Sequence, residues 1–407
     1  MAFVYQEGQW SLAVIDAETR LEVGGTLLSK ITNTPRDYAW GSRTLLVDLG
    51  YADTGKPKAE VWFGTHQLSE STIDDTDVPL SETIGHRLGF MLKFLAAELP
   101  LSIQVHPNEA QAKAGYELEN QLGLTLDDPT RNYKDASQKV EAIVAVSPFE
   151  LLVGFKTADQ VRQLFENMAD QLNSDAAALS ETYAAQVSQT ENLRGLITTI
   201  MDGEITELQL ELLRQLRDGG NEMAGLDHAL LTNLFENFGL DRGILVAMLM
   251  NKFELAPGQA VFVAAGVPHS YLSGLGVEIL NSSDNVVRGG LTPKKVSAAE
   301  FVSLLDFASA GVSPQTPREV VAGLSRYEFP TDDFSLSRIS VSGSNMLVDF
   351  KLPAESILVC TSGELDVTNS LEERVRLRRG EAAYMSADAN FFTIAGSGEG
   401  LLGSGPA

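Results

Sequence analysis

Along residues 1–156, apolar positions fall in short runs broken by Gly, Pro, Asp and Asn, the pattern of strands set between turns. LLVDLGY (45–51), AEVWFGTH (59–66), LSIQVHP (101–107) and VEAIVAV (140–146) each read as a strand. The stretch 81–98, SETIGHRLGFMLKFLAAE, has apolar residues three and four apart and reads as a short helix running into a strand. After Phe155 the period becomes helical. ADQVRQLFENMADQL (158–172), ELQLELLRQLRD (207–218), LDHALLTNLFENF (226–238) and DRGILVAMLMN (241–251) predict about four helices. Gly219-Gly220 and Gly239-Leu240-Asp241 punctuate them, and no proline lies between Pro148 and Pro257. Strand character returns at Phe253, with glycine turns at Gly258 and Gly274. Residues 309–317 (SAGVSPQTP) read as a linker, followed by short β-type runs such as NMLVDFKL and SILVCTSGELDVTN.

This order predicts a mainly β chain with an inserted α-helical domain, and not a doubly wound α/β fold. The expected division is a catalytic unit of residues 1–156 with 251–310, a helical insertion of 157–250, and a C-terminal β unit of 311–407. A faint internal repeat links the two β units. Leu255–His269 (LAPGQAVFVAAGVPH) lies over Leu377–Phe391 (LRRGEAAYMSADANF), with Gly258 on Gly380, Ala260 on Ala382 and His269 on Phe391. A glycine turn, an apolar strand and a second turn is how jelly-roll barrels join one hairpin to the next. The second copy then carries no histidine and is expected to bind no metal.

Composition narrows the function. Acidic residues outnumber basic ones 55 to 30 for a net charge of −25, which disfavours nucleic acid and anionic membrane as partners. One cysteine, Cys360, excludes an internal disulfide framework and a cysteine-built zinc cluster. No basic n-region precedes an apolar run at the N-terminus, and no apolar stretch reaches the ~20 residues of a membrane span. The expected location is the cytoplasm.

Three segments carry candidate chemistry. On a strand, Ser102, Gln104 and His106 project to one face while Ile103 and Val105 pack behind; the polar face meets either solvent or a ligand such as a metal. Lys139 and Glu141 share a strand face, which by itself is the pattern of an edge-strand ion pair. His269, between Pro268 and a strand start, sits where a barrel mouth would be. Two imidazoles, one carboxylate and one amide oxygen suit Zn²⁺, and two His with one carboxylate also suit non-haem Fe²⁺. A fourth feature is VVRGGLTPKKVSA (286–298), with Arg288, Lys294 and Lys295 and no acid. It reads as a solvated basic loop or as an anion clamp, with Gly289-Gly290 letting backbone approach a ligand.

The blocks YAWGSRTLL (38–46), AEVWFGTH, PLSIQVHPNEAQAKAGY (100–116), NYKD (132–135), SPFELLVGF (147–155) and PGQAVFVAAGVPHSYLSGLGVEILNSSDNVVRGGLTPKKV (257–296) strongly resemble type I phosphomannose isomerase. The resemblance runs in order through 38–307 and covers the last hundred residues only in general character. It implies two cupin-type jelly-roll barrels flanking a helical insertion. It also implies zinc-dependent interconversion of mannose 6-phosphate and fructose 6-phosphate by a monomer, with one zinc per chain. Such an activity supplies mannose 6-phosphate for activated-mannose synthesis or feeds mannose into glycolysis. The family's zinc ligands fall on Gln104, His106, Glu141 and His269, its essential arginine on Arg288, and its Thr-Pro-Lys lysine on Lys294. Ser102, Lys139, Glu278, Tyr271 and Asp284 match polar positions around the family's pocket.

Aldose–ketose isomerisation moves a proton between C2 and C1 through an enediol-like species, so it needs a Lewis acid and a base. Lys139, Glu278 and Asp284 are the candidate bases. Arg288 is expected to neutralise the enediolate, while Ser102, Lys294 and Tyr271 are assigned to substrate and phosphate binding. One stretch departs from the family pattern Asn-His-Lys-Pro-Glu, reading Ser137-Gln138-Lys139-Val140-Glu141 here. His66 and His86 are expected to be structural and His228 a surface residue. Two other classes remain open: a non-haem iron oxygenase on the same barrel, against which a fourth ligand at Gln104 counts, and a sugar-phosphate sensor without turnover.

Overall fold

The strand His269–Asn281 organises the first sheet of the computed structural model, which describes residues 2–6, 9–13, 27–190, 193–219, 223–307, 312–343 and 345–406. It pairs antiparallel with Phe90–Ala97, Ile103–Val105, Glu141–Ala145 and Phe149–Phe155. One strand serves four partners because it bends. Its register shifts between Tyr271 and Ser273, and Gly274 follows at φ +116°. A side chain at 274 would lie 2.5 Å from the Pro148 carbonyl oxygen, so both dihedral and contact demand glycine. Glu60–Phe63, Met250–Leu255, Ala260–Val263 and Val287–Gly290 complete nine strands of a jelly-roll barrel.

Both faces of this sheet are covered, which explains apolar runs without alternation. In Glu141–Ala145, Ile143 and Ala145 face a core inside the barrel with Leu95, Leu151 and Val263. Ala142 and Val144 face outward, into a core shared with Tyr327, Phe334, Ile357 and Leu401 of the C-terminal unit. The two β units are thus joined by one continuous apolar layer. The glycine-turn repeat has matching geometry: Gly258 and Gly380 adopt φ +86° and +88°, and Ala260–Val263 and Ala382–Met385 are strands at equivalent positions. The strands that follow begin at His269 and at Phe392, so the second copy is one residue longer before its next strand.

Several expectations need correction. Leu28–Thr32 does not join the catalytic barrel: it pairs with Ala382–Met385, and Thr72–Ile73 pairs with it in turn. Ile31 thereby enters the apolar layer between the units, so the first 156 residues contribute to both sheets. LLVDLGY is not a strand. Leu45–Asp48 forms one helical turn, started by the Ser42 hydroxyl accepting from the Thr44 and Leu45 N–H groups. Glu109–Gln121 is a helix within the region that reads as strands, and its sequence signal is the Asn108/Gln111 capping box rather than an apolar period. Among the described residues, six helices rather than four lie between Ala158 and Met248. Ser174–Thr190 is one of the additional ones; part of its buried face is alanine (Ala176, Ala184), which gives a weak periodic signal. Gly220 and the first part of the expected linker, with the 310/311 boundary, lie outside the described residues; Gln315 exchanges two backbone hydrogen bonds with Ala260.

The Gly289-Gly290 pair is held close to other parts of the protein. A Cβ on Gly289 would meet the Phe301 ring at 2.4 Å, and one on Gly290, at φ +138°, would lie 2.5 Å from the Gly243 Cα. These glycines let the Arg288 strand pack against Phe301 of the helix Ala298–Leu304 and against Gly243 of the helical insertion. Gly290→Ala should therefore lower stability by about 1–3 kcal/mol through overpacking alone. The denaturant midpoint measures this, and an unchanged midpoint would contradict the packing.

Candidate metal centre and anion cleft

Strand pairing sets the positions of Gln104, Glu141 and His269, and His106 follows directly on the strand Ile103–Val105. Gln104 lies in register between His269 on one neighbouring strand and Arg288 on the other, while Glu141 lies opposite Val263 and Leu280. His106 and His269 direct Nε2 at the two oxygens of one carboxylate, 3.2 and 3.0 Å from Glu141 Oε2 and Oε1. His106, Glu141 and His269 are 0%, 2% and 2% exposed. Each Nδ1 meets a backbone carbonyl, Asn285 O at 2.9 Å and Val267 O at 3.1 Å, so both rings carry the proton on Nδ1 and present a lone pair on Nε2.

That arrangement fits a cation. His106 Nε2 is buried without a hydrogen-bond partner, a costly state for a polar atom. One donor atom from each of His106, Glu141 and His269 lies within 4.8 Å of the other two. Lone pairs on two imidazoles and a carboxylate are a donor set for Zn²⁺, with the backbone carbonyls as the outer partners that fix ring orientation. Burial and the Lys139 ammonium lower His106 to about 3, so it is neutral and ligand-competent at neutral pH. Burial would raise Glu141, but the Lys139 ammonium, 3.1 Å from Oε2, holds it well below the ordinary carboxylate range. Gln104, half-buried, opens onto the same small cavity as Glu141 and His269.

Three supporting residues were not expected from the sequence. Asn285, fully buried, receives the Lys134 N–H on Oδ1 at 2.7 Å and donates from Nδ2 to the Asp135 and Ser137 carbonyls, while its own carbonyl orients His106. Asn281 Oδ1 accepts from Val140 N–H at 2.9 Å and its Nδ2 donates to Gln138 O. A proline at 140 would lack that donor, so Val140 contributes a bond that the family pattern lacks. Lys93 sits mid-strand among buried residues, 3.3 Å from Glu278 and 4.6 Å over the Trp62 ring. A lone charge in an eight-residue buried strand was the available signal.

Beside this centre opens a cleft of about 700 Å³, walled by the barrel and by Asn237 and Phe238 of the helical insertion. It is lined by Arg36, Lys93, Arg131, Lys134, Lys139, Arg288 and Lys294 against only Glu60 and Asp284. In a chain of net charge −25 this is a local positive site for an anion. Ser102, Gln104, Lys139, Asp284, Arg288 and Lys294 all line it. Burial lowers the Arg288 guanidinium from its ordinary value, and burial with Arg288 nearby lowers Lys294.

Two expected residues stand elsewhere. Tyr271 does not line the cleft; its hydroxyl lies beneath the centre, 3.1 Å from Glu141 Oε1 and 3.0 Å from Glu278 Oε1, because it rises from the same inner face as His269 two residues on. Glu278 is likewise enclosed by Tyr271 and Lys93 and is raised by burial and by Glu141. His66 reaches a cleft residue: Nδ1 accepts Leu68 N–H, leaving Nε2–H to meet Asp284 Oδ2 at 3.1 Å. Burial would raise Asp284, but this bond holds its carboxyl below the usual range. His86 pairs with Glu355 across the two β units. His228 is half-buried, with its Nδ1 covered, and is not a plain surface residue.

Residues 28–158 match the family described as phosphomannose isomerase type I, catalytic domain. The mannose-6-phosphate isomerase of Escherichia coli (strain K12) is 30% identical over 392 residues, spanning 91% of this chain and 98% of that protein. The Salmonella typhimurium protein is 31% identical over the same shares, and the Bos taurus protein 29% identical over 87% and 92%. The solved structure of mannose 6-phosphate isomerase from Salmonella typhimurium, bound to its substrate fructose 6-phosphate and to zinc, superposes with a TM-score of 0.83 at 30% identity, covering 94% of this chain and 100% of that one.

Metal-binding tests follow from the geometry. His106→Ala and His269→Ala should each lose the bound metal by elemental analysis, and Asn285→Ala should weaken metal affinity about 10–100-fold. The metal-free protein should also be acid-sensitive. His106 is depressed when folded, so the stability tied to its neutral form is present above its unfolded pKa of about 6.5 and is lost as pH falls toward 3, by up to about 1.4 kcal/mol per pH unit. Below pH 6.5, His106→Gln should flatten that slope in denaturant titrations, and an unaltered slope would contradict the burial assignment.

Proposed function

The chain belongs to the mannose-6-phosphate isomerase family, and from that premise we propose that it interconverts mannose 6-phosphate and fructose 6-phosphate with one zinc per chain. The observation that carries this reading is the buried His106–Glu141–His269 triangle, with an unpartnered Nε2, opening beside a cleft lined by seven cations. His106, Glu141, His269 and Gln104 would hold the zinc. Bound there, zinc supplies a Lewis acid that stabilises negative charge developing on a substrate oxygen.

The remaining work falls to the chain's own side chains. The sugar phosphate enters the cleft, where Lys294 and Ser102 bind the phosphate away from the reacting carbons and fix the substrate's orientation. Arg288 is half-buried and, among the described residues, has no carboxylate partner, so its charge is free for an enediolate oxygen. A base must reach the cleft. Asp284 does so ionised and oriented by His66 Nε2–H, whereas Glu278 lies below the ligand layer, engaged by Tyr271 and Lys93. Asp284 is therefore the base we assign to the C1–C2 proton transfer, and Lys139 the donor that steadies a neighbouring oxygen. Phe238 and Asn237 help exclude water from the far wall.

A coupled assay for fructose 6-phosphate formation from mannose 6-phosphate tests the function, and no turnover by zinc-loaded protein would end it. Chelation should abolish turnover and zinc should restore it. Arg288→Ala and Asp284→Asn should each lower kcat at least ~100-fold with zinc content unchanged, the scale of losing one preorganised charge. Lys294→Ala should mainly raise KM, and added salt should raise KM further by screening the anion's approach. Retained kcat in Arg288→Ala with only a raised KM would recast that arginine as a phosphate clamp.

A further inference from the structure

Resting on the isomerase reading, we propose that Asp333 of the C-terminal unit and Gln138 of the catalytic barrel are positioning residues that hold Lys139 and Glu141 in register for the reaction. Gln138 stands immediately before Lys139, at the point where the chain departs from its family's histidine. Its side chain does not line the cleft. Nε2 instead donates to Asp333 Oδ2 at 2.8 Å, across the boundary between the two β units. The acceptor is itself fixed: the Thr331 hydroxyl donates to the same oxygen at 3.0 Å, and Asp333 N–H donates back to that hydroxyl.

The backbone around Gln138 is already gripped on the barrel side. Asn281 takes hold of the Gln138 carbonyl and the Val140 N–H, and Lys139 N–H donates to the Pro107 carbonyl at 3.2 Å. The Asp333 bond adds the one side-chain tie among these that comes from another unit. It is backed by stacking of Phe329 and packing of Phe334 on Phe262, whose strand position lies opposite Ala142. The segment 327–334 therefore braces both the loop that presents Lys139 and the strand that begins with Glu141. Lys139 Nζ lies 3.1 Å from Glu141 Oε2, so a loop shift of a few tenths of an ångström is felt at the metal-binding carboxylate. This gives the C-terminal unit a part in catalysis although it touches neither the cleft nor the ligands.

The test uses the full-length, zinc-loaded protein. Asp333→Ala should lower kcat about 10-fold with KM little changed, the scale of losing an orienting partner of a metal site. Asp333→Asn should restore kcat, since an amide oxygen can accept from both Gln138 and Thr331. Combining Gln138→Ala with Asp333→Ala should cost no more than either alone. A purely structural bond would lower the melting temperature in Asp333→Ala and leave kcat alone in both variants. Hydrogen–deuterium exchange of the peptide spanning 134–146 supplies a readout that does not require turnover, with faster exchange expected in Asp333→Ala and wild-type exchange in Asp333→Asn. A kcat within two-fold of wild type in Asp333→Ala, or unchanged exchange in 134–146, would overturn the proposal. A wild-type protein without isomerase activity would defeat the isomerase reading instead, and the exchange comparison would then decide the tie between units by itself.

Discussion

A single buried carboxylate, Glu141, imposes most of the order around the site. Taking a charge out of water costs several kcal/mol unless partners replace the lost solvation. Here the solvating partners are the Lys139 ammonium and the Tyr271 hydroxyl, each 3.1 Å away, while two imidazole Nε2 lone pairs face the same carboxylate at 3.0 and 3.2 Å and call for a cation between them. The groups around it are themselves constrained: the rings by backbone carbonyls at Asn285 and Val267, the tyrosine by Glu278, and Glu278 by Lys93. The shell thus extends outward until it meets apolar packing. A divalent cation among these donors removes the remaining mismatch, the buried lone pair of His106.

The strand His269–Asn281 is the mechanical counterpart of that electrostatic shell. Its bend at 271–274 lets the first half present His269 and Tyr271 while the second half presents Glu278 and ends at the asparagine that aligns the Lys139 loop. Because its sheet is buried on both faces, inward positions supply chemistry and outward ones supply adhesion to the C-terminal unit. The site is thereby placed on rigid β-structure, and the helical insertion contributes a wall rather than ligands.

Legibility followed locality. The helical change after Phe155, the buried strands, the alternation of Ser102, Gln104 and His106, and the cation-rich stretch at 288–295 are properties of neighbouring residues, so period and charge revealed them. Membership of a family could be read because its motifs are contiguous blocks. Short-range misreadings arose where side-chain capping beat apolar pattern, as at Ser42 and Asn108, or where alanine masked a helical face, as in Ser174–Thr190.

What the sequence by itself determined is the inventory: two imidazoles, a carboxylate, an amide and a group of cations in an otherwise acidic chain, each on an element of recognisable type. Only the tertiary structure decided how they are used. Strand register, set by side chains far apart in sequence, put Gln104 between His269 and Arg288 and turned Tyr271 beneath the ligands instead of toward the cleft. It also gave His66 to Asp284 and Gln138 to Asp333. Such pairings depend on which faces are buried against which units, and periodicity along one chain carries no information about the partner across the interface.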